Sequence, residues 1–587
     1  MKSFLKYLLA SVLGVLIGGI LFLIILIPAG TSFLMSGFKE KPKVHDETVL
    51  RLRLTSELPD HTQTLPLLPG LEPGFVTHEG LYEILRALDH ARTDDRVKGI
   101  WIDMDMDAPG MASLEELREG LKKFKASGKF IVAYGQFVGQ KSYYLATVAD
   151  SVYMAPTGML LLKGFAARTL HFKRALDQLG IRFQVFYHGK YKSATEPLRL
   201  NHMSRANKEQ LRAFLQSVYD LFISNIGGDR GVSPEKLDSI VNAFAARTPA
   251  RAVALGLVDR LLYEDQVKDR VRQLAGLDSS EGRVRFMAMD KYVVATREEP
   301  DYSIRDKVAL VFMEGDVMNG KSLPENIGAD TYVKLFDDLA RDSFCRAVVI
   351  RMNSPGGDAI ASDRMWRAVK VLAAKKPVVV SMGNLAASAG YQISAPADLI
   401  LAQPNTLTGS IGIFGLWPDL GDFMRDKLNI DFDTVTVGRH ADLFNPYRSL
   451  TEEESGFFRE NIDAGYVDFL QKVAEGRHMD TAAVHAIAQG RIWAGQQAVD
   501  IGLVDRIGGM ADALQAAGDM AGLDTFRVSV YPKVKSPLEM IMSMFESYGL
   551  SPAFRDLADL YKVWKQWQSV ARWQGLQERL PYDLVIE

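Results

Sequence analysis

Ser388 stands in the stretch NLAASAGYQISAPAD (384–398), between the apolar run Pro377–Met382 and a helix-like segment. Its small neighbours let a ligand backbone come close, and a helix start favours negative charge. A serine hydroxyl becomes a good nucleophile only when a base takes its proton. No histidine lies in this stretch. GKYKSATEP (189–197) supplies a different base, Lys192, behind the apolar strand RFQVFY and beside Ser193, which is placed to hold its amine. A free lysine has a pKa of about 10.4, but burial against apolar surface can lower it by up to about 3–5 units. Lys190 competes, because residues two apart share one face of a strand. A third stretch, NSPGGD (353–358), brings Gly356 and Gly357. Amides there, with that of Ala389, would form an oxyanion hole, each donor worth about 2.7–4 kcal/mol in the transition state. Asp358 reads as the cap of the helix that follows, and Ser410 in TLTGSIG as a turn cap.

The elements that must carry these residues come in duplicate. AVALGLVDRL (252–261) returns as AVDIGLVDRI (498–507), and YYLATVADSVYMAPTGML (143–160) parallels YQISAPADLILAQPNTLT (391–408). IWIDMDMD (100–107) matches VVIRMNSP (348–355), and ETVLRLRL (47–54) resembles KVALVFME (307–314). A near-constant offset over this length marks an internal repeat. Within each copy, apolar strand-like runs alternate with helical patterns, which argues for α/β units. The expected organisation is a segment 1–44 containing an anchor, repeat domains at 45–294 and 295–525, and a helical tail at 526–587. Helical patterning extends over 536–580, with Trp564, Trp567 and Trp573 in packing or subunit contact.

The copies differ where the chemistry lies. Gln140 falls opposite Ser388, and DMDAPG (105–110) replaces the paired glycines. GRHADLFNP (438–446) pairs with the lysine stretch and puts Ala441 opposite Lys192. One copy keeps the serine and the other the lysine. Such complementary loss is expected if one active site draws on both copies, within a chain or between chains.

Composition excludes other classes. A net charge of −3 offers no electrostatic footprint for nucleic acid. The single cysteine, Cys345, excludes a disulfide framework, and neither a metal nor a cofactor is called for. Tyr7–Ile27 is long and apolar enough to span a bilayer, and too long for a cleavable leader. It is therefore expected to be an uncleaved transmembrane helix, with the bulk of the chain outside the cytoplasm.

NSPGG, AAS followed by a small residue and GY, LTGSIGIFG (407–415) and YKSA with its following EP together resemble the signal peptide peptidase A (protease IV) family in its long, tandem-repeat form. The resemblance covers nearly the whole chain. It implies a ClpP/crotonase-like fold of stacked ββα units and a serine–lysine dyad split between the halves. It also implies a ring-like homotetramer and an inner-membrane anchor with the enzyme facing the periplasm. Substrates would be cleaved signal peptides and other hydrophobic peptides. By motif, Ser388 corresponds to the nucleophile and Lys192 to the general base. The family usually has two glycines after the serine, whereas Ala389 follows here; a position needing only a small side chain and an N–H accommodates it. Three other readings stay open: a Ser-His-Asp hydrolase using His440 and Asp442, a crotonase-like thioester enzyme, and a non-catalytic membrane scaffold.

Overall fold

The computed structural model describes residues 41–54, 58–66, 75–105, 108–277, 284–298, 300–323, 326–533 and 575–579. The expected anchor, Tyr7–Ile27, and the three tail tryptophans lie outside the described residues; among those described, no helix is long and apolar enough to cross a membrane.

Two sheets repeat one plan of six parallel strands, the second adding Leu407–Gly409 and Ile492–Ala494 as an antiparallel pair. In the first the order is Arg260–Leu261, Ser151–Leu161, Phe130–Gly139, Val97–Asp103, Thr48–Leu52, Arg285–Ala288. In the second, Arg506–Ile507, Leu399–Ala402, Val378–Ala387, Cys345–Ser354, Lys307–Glu314 and Arg527–Tyr531 follow the same order. Parallel strands are covered on both faces and so read as unbroken apolar runs; Val378 to Met382 are all buried. Leu81–Thr93 and Met111–Lys125 are matched by Ala329–Arg341 and Ala359–Ala373 as the helices between the strands.

A third, mixed sheet joins the repeats. Its order is Asn326–Gly328, Asp316–Met318, Gly356–Asp358, Gly575–Arg579, Ile413–Asp419, Arg182–His188. The last strand belongs to the first repeat and runs antiparallel to Ile413–Asp419 of the second. Gly575–Arg579 corrects the expectation of a wholly helical tail. It is a strand, antiparallel to both Gly356–Asp358 and Ile413–Asp419. Two open strand edges outweigh local helical patterning there, since tertiary context overrides propensity. Arg527–Tyr531 corrects the boundary, for it closes the second sheet as Arg285–Ala288 closes the first.

A buried ion cluster also binds the halves. Arg351, fully buried in the strand Cys345–Ser354, donates from Nε and Nη2 to Asp60 Oδ1 at 2.9 and 2.8 Å. Its Nη1 lies 2.7 Å from Glu116 Oε1. Beside it, Asn384 bonds Ser113 through both ends of its amide.

Candidate active site

The strand Val378–Ala387 ends at Ser388, and the helix Ala389–Ser394 starts at once. So abrupt a turn requires an unusual backbone. Ser388 has φ 57° and ψ −118°, the first central position of a type II′ turn, which ordinarily asks for glycine. Such strain persists only where neighbours fix it. Here the Ser388 N–H donates to Gly409 O at 2.8 Å, and the Gln392 N–H donates to Ser388 O at 2.9 Å. The positive φ thus falls on the serine and not on Ala389, which adopts an ordinary conformation and is fully buried.

Lys192 arrives from the first repeat. The strand Arg182–His188 ends at Gly189, whose φ of 110° turns the chain inward. The Tyr191 N–H donates to Gln489 O at 2.8 Å. Gly490 then packs so tightly that a Cβ on it would lie 2.6 Å from both Lys192 N and Cβ. Lys192 Nζ lies 2.8 Å from Ser388 Oγ, 3.1 Å from Ser410 O and 3.3 Å from Ser410 Oγ. All three residues are buried. The serine and the lysine, 196 residues apart, meet within one chain.

Several expectations change. Ser410 is no mere turn cap; with φ 51° it turns both its carbonyl and its hydroxyl to the lysine amine. Ser193, expected to hold that amine, instead accepts from Gln210 Nε2 at 3.1 Å. Lys190 is exposed and reaches its neighbour's Tyr191 hydroxyl. His440 is exposed against the edge of Phe457, and Asp442 is held by Arg448, so neither forms a triad with Ser388. His188 pairs with Asp463 and stacks on Tyr466.

The glycine pair divides its work. The Gly356 N–H donates to Ser354 Oγ at 3.2 Å. Gly357 must be glycine because a Cβ would lie 2.0 Å from Val317 O on the neighbouring strand. Gly390 is closely approached too, a Cβ on it lying 3.1 Å from Ser354 O, which seats the short helix against the end of the Cys345–Ser354 strand. Asp358 caps its helix as expected, accepting from the Ala361 N–H at 2.8 Å. In the first repeat, Gln140 opens the helix Gln140–Ala146 where Ser388 stands in the second, and its Nε2 donates to Gly164 O. Ala441, opposite Lys192, is exposed.

A buried serine–lysine contact built from two halves of a duplicated chain can be set beside known proteins. The chain is similar to Protease 4 of Salmonella typhi, 32% identical over 482 residues that cover 81% of this chain and 77% of that one. The chloroplastic serine protease SPPA of Arabidopsis thaliana is 28% identical over 86% of this chain and 73% of its own length. A ClpP1 mutant of Listeria monocytogenes, 17% identical, covers 35% of this chain and 94% of its own with a TM-score of 0.23. The model of peptidase family S49 matches twice, at residues 123–278 and 370–524, once in each repeat. The chain therefore belongs to peptidase family S49 and is a serine peptidase.

Proposed function

We propose that Ser388 is the nucleophile and Lys192 the general base of an endopeptidase acting by acyl transfer. The observation that carries this reading is the 2.8 Å contact between Lys192 Nζ and Ser388 Oγ in a buried site. A neutral amine has two hydrogens and one lone pair. The carbonyl and hydroxyl of Ser410 accept the hydrogens, and the lone pair then faces the Ser388 hydroxyl. Burial favours that neutral state. Lys192 takes the serine proton as Oγ attacks the peptide carbonyl, then returns it to the leaving amine, and water releases the acyl group. Amides of Gly357 and Ala389 hold the oxyanion; the first amides of a helix lack intrahelical acceptors.

The substrate binds extended. Gly356–Asp358 and Ile413–Asp419, which start just after Ser354 and Ser410, present the two edges that the strand Gly575–Arg579 now occupies. A peptide on those edges would gain main-chain hydrogen bonds on both sides. Hydrophobic peptides, among them cleaved signal peptides left in a membrane, are the substrate class. Tyr7–Ile27 would anchor the enzyme in the inner membrane with its catalytic part in the periplasm, and the chain would assemble as a ring-like homotetramer.

Labelling with a serine-reactive fluorophosphonate, mapped by mass spectrometry, tests the dyad. Label on Ser388 should vanish in Lys192→Ala and survive in His440→Ala. The reverse pattern would place the base in the second repeat, and an unlabelled wild-type Ser388 would remove the peptidase chemistry from this site.

A further inference from the structure

Two contacts join the repeats around the dyad. On one side, Phe186 of the strand Arg182–His188 stacks on Phe458 of the helix Glu452–Arg477, which walls the joint there. On the other, the helix Arg205–Arg230 of the first repeat lies against the strand Ile492–Ala494 of the second. That strand pairs antiparallel with Leu407–Gly409, Ile492 opposite Gly409, and so backs the segment that leads into Ser410.

Gln210 stands on this helix, buried between the two repeats. Its Oε1 accepts from the Ile492 N–H at 3.1 Å. Its Nε2 donates to Tyr191 O at 3.0 Å, with Ser193 Oγ and Asn207 Oδ1 both at 3.1 Å. A main-chain N–H only donates and a carbonyl only accepts, so the place calls for a side chain with one group of each kind. Tyr191 and Ser193 are the two neighbours of Lys192 in the chain. The carboxamide therefore grips the lysine turn on both sides. Asn207 in turn donates from Nδ2 to Glu196 Oε2 at 3.0 Å, which ties the start of the helix to the end of the lysine stretch.

The far end of the lysine hangs on the same strand. Ser410, which faces Lys192 Nζ, donates its own N–H to Arg491 O at 2.7 Å. Gly409, opposite Ile492, accepts the Ser388 N–H at 2.8 Å. Lysine turn, amine acceptor and serine are all referred to two adjacent residues, Arg491 and Ile492. The second repeat has no such link. Counted from the matching caps Ser204 and Thr451, Gln210 falls opposite Phe457, which is 37% exposed. The carboxamide is present in the repeat that keeps the lysine and missing from the one that lacks it.

We infer that Gln210 is a positioning residue of the dyad: by spanning the repeats it fixes the lysine turn against the strand that also orders Ser410 and Ser388, and so sets where Nζ meets Oγ. The inference rests on the reading of Ser388 as nucleophile and Lys192 as base. Gln497 is its control. It also joins this helix to this strand, accepting from the Ala494 N–H at 3.1 Å and donating to Ala213 O at 3.4 Å, but it bonds neither neighbour of Lys192.

The test follows the rate at which a fluorophosphonate labels Ser388 in the full chain in detergent. A range of reagent concentrations separates reagent binding from the chemical step, and every measurement is made well below the melting temperature of the variant. Gln210→Met and Gln497→Met should both melt below wild type. Only Gln210→Met should slow the chemical step, by about 10–100-fold, with reagent binding unchanged within about 2-fold. Should Gln210→Met not fold, Gln210→Asn decides by the same criteria, since its carboxamide is one methylene too short to span Tyr191 and Ile492. A wild-type chemical step in the Gln210 variant, or an equal loss in Gln497→Met, would make Gln210 a structural residue only and leave the dyad standing. Lys192→Ala is labelled alongside: a wild-type rate there overturns the dyad and this inference with it.

Discussion

At the scale of single residues, the site depends on how one amine is oriented. Ser410 offers two acceptors to Lys192 Nζ, and acceptors stabilise the charged ammonium as well as aligning the neutral amine. Ser410→Ala removes one acceptor. Its expected effects are a fall in kcat of about 3–10-fold, the worth of one hydrogen bond, and a shift of the rising alkaline limb of the pH–rate profile to lower pH. A variant that loses stability but keeps the limb in place would make Ser410 a turn residue only. Ser388 and Lys192 were legible in the sequence because each repeat lacks what the other keeps. Ser410 was not: a serine after a glycine in a tight turn has the same signature whether it caps the turn or faces a base, and only the fold tells which way its hydroxyl points.

At the scale of elements, backbone shape sets the positions. Gly490 has φ 78° and abuts Lys192, whereas Gly256 has φ 77° with nothing within 4 Å of its missing Cβ. Gly490→Ala and Gly256→Ala should therefore share a conformational cost of roughly 1 kcal/mol or more, seen in thermal unfolding. Only Gly490→Ala should also lose activity, by about 100-fold, because it displaces Lys192, the proposed base, by up to about an ångström. Equal activity in both would detach Gly490 from the site. The helix Glu452–Arg477, one wall of the joint, is fixed at its start by Thr451 and Glu454, with Arg448 bonded to both Glu454 oxygens at 2.8 Å. The Arg448 guanidinium holds the Glu454 carboxyl down to about 2. A carboxyl depressed on folding stabilises above its unfolded pKa and loses that contribution as pH falls through the folded value. Glu454→Gln should thus melt below wild type at pH 7, with the gap closing as pH drops from about 4.3 toward 2. A gap constant in pH would assign the effect to packing. The alternating strands and helices were legible from apolar periodicity, since parallel strands covered on both faces are apolar at most positions. The strand Gly575–Arg579 was not, because its partners are edges more than 150 residues away in sequence, which no local pattern records.

At the scale of the whole molecule, two sheets of the same design become one enzyme through their joint. Arg351 spans it with Asp60 and Glu116, all three buried. Removing one member of a buried ion cluster leaves the others uncompensated, so Arg351→Ala should cost about 3–5 kcal/mol in urea unfolding. If this joint also holds the dyad together, fluorophosphonate labelling should be lost at lower urea in the variant; labelling that tracks wild type would separate the cluster from the site. The sequence made the duplication plain but not this cluster, whose members stand 291 residues apart in the case of Asp60 and Arg351. The separation of Lys192 from Ser388 has a consequence for biosynthesis. A ribosome finishes Lys192, the proposed base, 196 residues before it reaches Ser388, the proposed nucleophile, and Ser410 and Gly490 come later still. A growing chain that ends before Ser388 would have no complete dyad with which to cut its neighbours. With the proposed dyad, the enzyme would gain its chemistry only once the second repeat is made and docks on the first.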